Sequence, residues 1–326
     1  PEGLPAVATT TLALGIRQMR QEGVLVRRLG AIEALGAVQV VCLDKTGTLT
    51  RNMMAVVEAR TPAGPAAAEG EALHPLPGAG PGAEEELRRL FAMAALCSDA
   101  EIAPEGGLAG SPTEVALLRA AQALGCDIAA LRAAHPRRAA RPRAEGRKRM
   151  ATLHEGPQGA PLLAVKGDPV EVLALCDRRL DGTGTAPLTA AERAAIRAAN
   201  DAMAGRALRV LGVACGEGEA EEGLVWCGLA GIADPLRQDA KGAIATLHAA
   251  GVRTVMITGD QAATAIAIAR ELRLSRGPEI TVLEAGQLDA ARPEVLAALA
   301  PRADAFARVS PAQKLAVVQA LQAGGG

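Results

Sequence analysis

Aromatic side chains are almost missing from this 326-residue sequence, which has two phenylalanines (Phe91, Phe306), one tryptophan (Trp226) and no tyrosine. Modules that stack nucleic-acid bases on aromatic platforms are excluded on that count. A formal net charge of −1 removes the electrostatic argument for nucleic acid as well, so no such partner is expected. The core must instead be built from Ala, Leu, Val and Ile. Six cysteines (Cys42, Cys97, Cys126, Cys176, Cys215, Cys227) are scattered without a C-x-x-C pair, and the four histidines have no ligand spacing. Zinc and thioredoxin-like sites are therefore excluded, and the cysteines read as buried small hydrophobes in a reducing compartment. No basic stretch precedes an apolar core at the start, so no signal peptide is expected. The apolar run Leu4–Ile16 is shorter than the roughly 20 residues of a membrane span, though it could supply half of one. An opening without Met and a close on Gly324, Gly325 and Gly326 read as cut ends.

Strands are signalled by short β-branched runs. Val38–Leu43 is one, ending at Asp44. Residues 61–82, rich in Ala, Gly and Pro, read as a loose loop. A helix is expected over Glu84–Cys97. Another is opened by Ser111-Pro-Thr-Glu114, where the N-cap, the first-turn proline and the acid three residues on form a capping signature. Residues 132–149 carry eight Arg or Lys and one acid, and read as a solvated, partly mobile basic face. Strands are expected at Met150–His154, Leu162–Lys166 and Leu208–Cys215, and a helix at Thr189–Met203, before an acidic, Gly-rich linker, Gly216–Gly223. The last hundred or so residues alternate strand and helix: strands Leu224–Ile232, Val252–Ile257 and Ala305–Val309, helices Arg237–Ala250, Gln261–Leu272 and Ala312–Leu321. That alternation implies a parallel sheet covered by helices, joined by the early strand ending at Asp44 and split by a long insertion.

In parallel sheets ligands gather at the carboxyl ends of strands. Those ends here carry Asp44-Lys45-Thr46-Gly47-Thr48, Thr258-Gly259-Asp260 and, a helical turn past a strand, Lys314. A carboxylate nucleophile, hydroxyls and backbone N–H groups for phosphoryl oxygens, and a lysine to neutralise charge are the parts of a phosphoryl-transfer site. A lone Asp after a strand is otherwise most often a helix cap.

The heptapeptide Asp44-Lys-Thr-Gly-Thr-Leu-Thr50 resembles, at every position, the phosphorylation motif of P-type ATPases within the haloacid dehalogenase superfamily. Thr258-Gly259-Asp260 resembles the family's second phosphate motif, Asp234-Pro-Leu-Arg237 its Asp-Pro-Pro-Arg element, and Phe306–Lys314, including Arg308, its lysine-bearing stretch. The resemblance implies Asp44 as nucleophile, with Lys45 beside it, Thr46 contacting phosphate and Mg²⁺, Thr258 and Gly259 holding phosphoryl oxygens, and Lys314 stabilising charge. Asp44 and Thr46 would hold Mg²⁺. The superfamily's hydrolytic phosphatases often carry an acid where this chain has Thr46, so hydrolysis of an aspartyl phosphate should be slow. The insertion would be a nucleotide-binding domain. Glu114, in Gly110-Ser-Pro-Thr-Glu114, would contact adenine, a role compatible with the capping reading. Lys166-Gly167 resembles a Lys-Gly-Ala-Pro-Glu motif, with Asp168 and Val170 departing from it; Lys166 would sit beside adenine and Arg209 near the phosphates. Gly146–Met150, with Lys148, resembles the Arg-Lys-x-Met segment, with Arg143 where the family has an adenine-stacking Phe. Asp234, Arg237, Asp260 and Arg308 complete the implied nucleotide and phosphate contacts.

The implied fold is a Rossmann-like α/β phosphorylation domain (residues 30–55 and 224–326) split by an α+β nucleotide-binding domain (56–223), after half a membrane helix and a cytoplasmic stalk (1–29). Pro1-Glu-Gly-Leu-Pro5 resembles the broken fourth membrane helix of type II pumps, where Glu2 would ligate the transported cation. Arg17, Arg20, Arg27 and Arg28 fit a cytoplasmic flank. The resemblance thus implies an ATP-driven cation pump in the cell membrane, using ATP and Mg²⁺, with Ca²⁺ the preferred ion, Na⁺/K⁺-like and other type II substrates open, and the lipid bilayer reached through further helices. The family's Gly-Asp-Gly-x-Asn-Asp motif would be expected beyond Gly326. By itself this chain is expected to bind nucleotide, transport nothing and form little or no phosphoenzyme. A soluble haloacid-dehalogenase phosphatase and a non-catalytic nucleotide-binding module are the rival readings.

Overall fold

The computed structural model describes residues 3–21, 23–28, 30–70, 72–103, 106–275, 277–290 and 293–323. The chain opens with helices α1 (Leu4–Gln21) and α2 (Gly30–Gly36) and strand β1 (Val40–Asp44). Strands β2 (Ala55–Thr61), β3 (Gly64–Glu69) and β4 (Ala72–Pro75) lead to α3 (Ala83–Leu96). A two-residue hairpin, β5 (Glu101–Ile102) and β6 (Leu108–Ala109), precedes α4 (Pro112–Ala123) and α5 (Ile128–Ala134). Then follow β7 (Arg137–Arg141), β8 (Arg149–Glu155), β9 (Pro161–Gly167), α6 (Pro169–Ala174), β10 (Cys176–Asp181) and β11 (Gly184–Pro187). Helix α7 (Ala190–Gly205) connects to β12 (Arg209–Glu217) and β13 (Leu224–Ala233). The alternating remainder is α8 (Ala240–Ala249), β14 (Arg253–Ile257), α9 (Ala262–Leu272), β15 (Val282–Glu284), α10 (Ala285–Ala290), α11 (Pro293–Leu299), β16 (Ala305–Ala307) and α12 (Pro311–Ala323).

Two compact units divide the chain, one made of 1–45 and 238–326, the other of 46–237. In the first, four parallel strands run in the order β1-β14-β16-β15, with Asp44 in register with Ile257, and Ile257 with Phe306. Its core is aliphatic around one ring: Val255, Ile257, Phe306, Val309, Val317 and Leu321 are buried together. The strands are short and apolar, with β14 and β16 the most buried and β1 only partly covered. The expectation of an α/β parallel sheet split by an insertion is met. Helix α1 runs past Ile16 through Arg17 and Arg20, and among the described residues no helix is long and apolar enough to cross a membrane. Glu2, the expected cation ligand, lies outside the described residues.

The second unit is built on a ten-stranded sheet, ordered β4-β3-β2-β13-β12-β9-β8-β7, with β10 pairing β13 and β11 pairing β10. Pairing along the main path is antiparallel, and β10 joins β13 in parallel. Helices α3 and α4 bury Leu87, Leu90, Phe91, Ala94, Leu117 and Leu118 against one face, a helical repeat of apolar positions. Trp226, Leu173, Val172 and Met203 pack on the other. The helix starts follow the local chemistry: Ser111 Oγ caps the Glu114 N–H, and Thr189 and Glu192 form a reciprocal capping box.

Several sequence expectations are corrected. Leu224–Ile232 does not enter the parallel sheet: as β13 it pairs β2, β12 and β10, buried along almost its whole length. A continuous apolar run suits a parallel core strand and a central antiparallel one equally. The second unit therefore ends between Arg237 and Gln238 rather than at 223. Residues 61–82 are no loose loop, since β3 and β4 form an edge meander that buries Ala66 and Leu73. Alanine alternation hid its strand character. Among the cysteines, Cys97, Cys176, Cys215 and Cys227 are buried, Cys126 is half-buried, and Cys42 is exposed.

The two segments where the chain enters and leaves the second unit are clamped side by side. Arg51 N donates to Pro235 O (3.0 Å) and Arg237 N to Leu49 O (2.9 Å). The fully buried Thr50 donates its hydroxyl to Asp234 Oδ2 (2.6 Å) and accepts from Gly47 N (3.2 Å), while Met53 N donates to Asp234 Oδ1 (3.1 Å). Thr50→Val should cost about 1–3 kcal/mol, because it leaves a buried acceptor and donor unpaired. Urea unfolding of the variant would measure it, with a change within error counting against the clamp.

Candidate functional site

Two groups of residues stand out, one in each unit. In the first unit β1 ends on Asp44, whose exposed carboxylate receives Lys314 Nζ at 2.5 Å. Lys314 is placed by the start of α12, where Ser310 and Gln313 tie the first turn together: Ser310 N donates to Gln313 Oε1 (2.9 Å) and Lys314 N to Ser310 O (3.1 Å). Beside β1, strand β14 ends at the buried Thr258, whose N–H is held by Phe306 O (2.9 Å) and whose Oγ1 accepts from Asp260 N (3.1 Å). Asp260 Oδ2 lies 2.6 Å from Lys45 Nζ. Arg308, in the left-handed region at φ 56°, donates its N–H to Asp260 O (2.8 Å) and turns its side chain toward Glu284 (3.9 Å). The structure thus brings Asp44, Lys45, Thr258, Gly259, Asp260 and Lys314 to one edge of one sheet. Arg308 contributes its backbone there. Thr46 follows as the first residue of the other unit, with extended backbone (φ −73°, ψ 121°).

The arrangement is an acid held against an ammonium at a strand end, with a hydroxyl and free backbone nearby. Such a carboxylate is oriented for attack on an electrophile. Among the described residues no three His, Cys, Asp or Glu side chains cluster to cage a metal. A Mg²⁺ ion arriving with nucleotide phosphates needs only one or two protein carboxylates, and Asp44 is an exposed donor of that kind, so the residues present fit it.

The second group lies in the second unit, on the sheet face covered by α3 and α4. Lys166 is 5 % exposed, and its ammonium is ion-paired with Glu114 Oε1 at 2.5 Å, with no other hydrogen-bond partner among the described residues. Glu114 Oε2 accepts from Asp99 N (3.0 Å) and from the Ser98 hydroxyl. The Ser111 cap is real, but the Glu114 side chain does not close a capping box; it reaches Lys166 instead. Arg209 donates to Thr113 Oγ1 (2.8 Å), one residue before Glu114. Gly212 is in register with Gly167, and Gly167 with Arg149. A Cβ on Gly167 would lie 2.4 Å from Lys148 O and from Arg149 Cα, so only glycine lets the strands close here. Asp168, which departs from the expected motif, caps α6, accepting from Val170 N (3.0 Å) and Glu171 N (3.2 Å). Arg143 is exposed near the β7–β8 hairpin tip, with no hydrogen bond or ion pair among the described residues. Asp234 and Arg237 serve the clamp: Asp234 as above, Arg237 by a bond to Gly47 O (3.0 Å).

Sequence reasoning missed the partners of the basic run. Most of its basic residues are exposed, as expected of a solvated face, but several are also tied to specific partners. Arg132 and Arg137 bond carbonyls of the last residues of α3 (Ala95, Leu96) and of Ala100 just beyond it, and Arg141, Arg147 and Arg149 converge on Glu221. Burial alone would push the Glu221 carboxyl up, but hydrogen bonds from Arg147, Arg149 and Arg141 outweigh it and bring it down to about 2. The juxtaposed basic and acidic stretches were the available signal.

A family model described as "P-type ATPase, cytoplasmic domain N" matches residues 86–239. The chain is also 36 % identical over 351 residues to the cation-transporting ATPase pma1 of Synechocystis, covering 99 % of this chain and 38 % of that protein. It is 37 % identical over 352 residues to the probable cation-transporting ATPase F of Mycobacterium tuberculosis (100 % and 38 %). Against the calcium-transporting ATPase 1 of Bacillus cereus it is 36 % identical over 334 residues (100 % and 36 %). The chain belongs to the P-type ATPase family, and it spans under two fifths of the length of these relatives.

The Glu221 cluster predicts an acid limb. Its folded value of about 2 lies below the ordinary 4.5, so the stability it contributes is present above pH 4.5 and is lost as pH falls toward 2. Glu221→Gln should flatten that stretch of the stability–pH curve measured by urea unfolding; an unchanged slope would show the cluster contributes nothing.

Proposed function

We propose that this chain is the nucleotide-binding and phosphoryl-accepting part of an ATP-driven cation transporter, with Asp44 as the acceptor. The observation that carries the reading is the Asp44–Lys314 pair at 2.5 Å beside Thr258, on the seven-residue motif Asp44–Thr50. One Asp44 oxygen attacks the γ-phosphorus of ATP, the bond to the β–γ bridging oxygen breaks, and ADP leaves with that electron pair. Lys314 balances charge on the transferring group, and the Thr258 hydroxyl and Gly259 backbone hold its equatorial oxygens. Mg²⁺, held by Asp44 and Thr46, would neutralise phosphate charge. Without an acid at Thr46, no side chain at that position activates water, which supports a long-lived aspartyl phosphate over phosphatase turnover.

ATP is the nucleotide the second unit is suited to hold. Lys166 offers the donors its pair with Glu114 leaves over, Glu114 an acceptor, Arg209 and Lys148 positive charge, and Arg143 a guanidinium that can stack on a base. Calorimetric titration of the chain with ATP should give saturable binding that Asp44→Asn retains and Lys166→Met weakens about tenfold or more. Absence of binding, or binding indifferent to Lys166, would remove the nucleotide reading.

Ca²⁺ is the proposed ion, because relatives named calcium-transporting match the whole chain about as well as those named only for cations. In the longer protein embedded in a bilayer, Ca²⁺ at micromolar levels should raise phosphorylation from ATP, and a chelator should abolish it. Phosphorylation that ignores Ca²⁺ but responds to another cation would reassign the ion.

A further inference from the structure

The basic run and the acidic linker have no place in the reaction above, yet the structure ties them together. The loop 218–223 joins β12 to β13 and is bracketed by Gly218 (φ 95°) and Gly223 (φ 64°), a left-handed backbone at each end that favours glycine. Its start is pinned by Gly218 N donating to Pro161 O (3.0 Å). Of its acids, Glu219 and Glu222 face solvent, whereas Glu221 turns inward until its side chain is 11 % exposed. Oε1 of Glu221 accepts from Arg141 (3.1 Å) and Arg147 (2.5 Å), and Oε2 from Arg149 Nε (2.9 Å). Arg147 also donates to the carbonyls of Arg141 and Pro142, both at 3.2 Å, stitching the hairpin closed. Glu171, in α6, completes the arrangement by accepting from Lys148 N with both oxygens (3.2 and 3.0 Å) and from Arg149 Nη1 (3.2 Å).

This network grips the 142–148 turn from the sheet face opposite Lys166. Met150 is in register with Lys166 and packs with Cys97 and Ala164, while Arg149, one residue back, points the other way. Lys148, exposed and just before β8, lies between two gripped arginines, and its carbonyl accepts from Asp168 N (2.8 Å). The turn's own backbone pairing is a single bridge between Ala144 and Arg147. Without the Glu221 anchor its exposed tip, with Arg143, would lose rotational and translational restraint, Lys148 beside it would be held only by Asp168 and Glu171, and a ligand would have to order the tip on binding.

We infer that Glu221 is a positioning residue for nucleotide binding: from the far face of the sheet, its grip on Arg141, Arg147 and Arg149 holds the hairpin that presents Arg143 and Lys148 to ATP. The inference rests on the nucleotide-binding reading of the second unit. An acid of this loop therefore serves a polyphosphate ligand it never touches, although by simple charge it should repel one.

That sign makes the test sharp. Titrating the chain with ATP by calorimetry, Glu221→Gln should raise Kd about fivefold or more, whereas removing a merely repulsive acid would lower it. Glu222→Gln, which removes the same charge next door, should leave Kd unchanged or slightly lower. Glu221→Asp, which keeps the carboxylate, should recover part of the loss, and Glu221→Gln with Arg149→Gln should be no weaker than Glu221→Gln alone. Arg141→Gln, which removes the most exposed of the three arginines, gives a milder version should Glu221→Gln fold poorly, and it too should weaken binding. An unchanged or lower Kd in Glu221→Gln, or an equal rise in Glu222→Gln, would overturn the inference while leaving wild-type ATP binding intact. Failure of the wild-type chain to bind ATP would instead sink the nucleotide reading beneath it.

Discussion

The parallel pairing of β1, β14 and β16 is the constraint from which the catalytic reading follows. Parallel strands deliver their carboxyl ends to one edge, and hydrogen-bonded register fixes which residues meet there. With Asp44 level with Ile257 and Ile257 level with Phe306, the next residue of β14 is Thr258, and the helix leaving β16 carries Lys314 back to within 2.5 Å of Asp44. A one-residue slip in either pairing would misplace the hydroxyl and the ammonium by a full strand step. The aliphatic core around Phe306 is what holds that register, so it serves the chemistry as well as stability.

The inserted unit answers a different constraint, the cost of burying charge. An ammonium as enclosed as that of Lys166 persists only if an anion accompanies it, and Glu114 supplies one while Ser98 and Asp99 steady Glu114 in turn. The donors left over give that face something to offer a ligand. On the opposite face, three guanidinium groups on one carboxylate solve the same problem by collective pairing. The single central sheet thus separates the Lys166–Glu114 pair on one face from the Glu221–arginine cluster on the other.

Much of this was legible in the residues. The strand before Asp44, the strand before Thr258 and the helix bearing Lys314 follow from apolar runs and their polar stops. Ser111 and Thr189 announce helix starts by cap chemistry that depends on neighbours only three residues away. What could not be read is non-local. The apolar run Leu224–Ile232 says "buried strand" but not which sheet, because that depends on partners far along the chain. Alanine-rich β3 and β4 have too little side-chain contrast to alternate visibly. The role of Glu221 depends on arginines some seventy to eighty residues earlier, and the Lys166–Glu114 pair on a register that no local pattern encodes.

The central claim is that Asp44 accepts a phosphoryl group from ATP, and acyl phosphates have a chemistry that labels their site. The longer protein, incubated with Mg²⁺ and ATP, quenched in acid and reduced with tritiated borohydride, converts an aspartyl phosphate to homoserine. The account predicts tritiated homoserine at position 44, dependent on ATP and absent from Asp44→Asn. Phosphorylation that maps to a serine, threonine or another aspartate, or homoserine formation that survives Asp44→Asn, would contradict it.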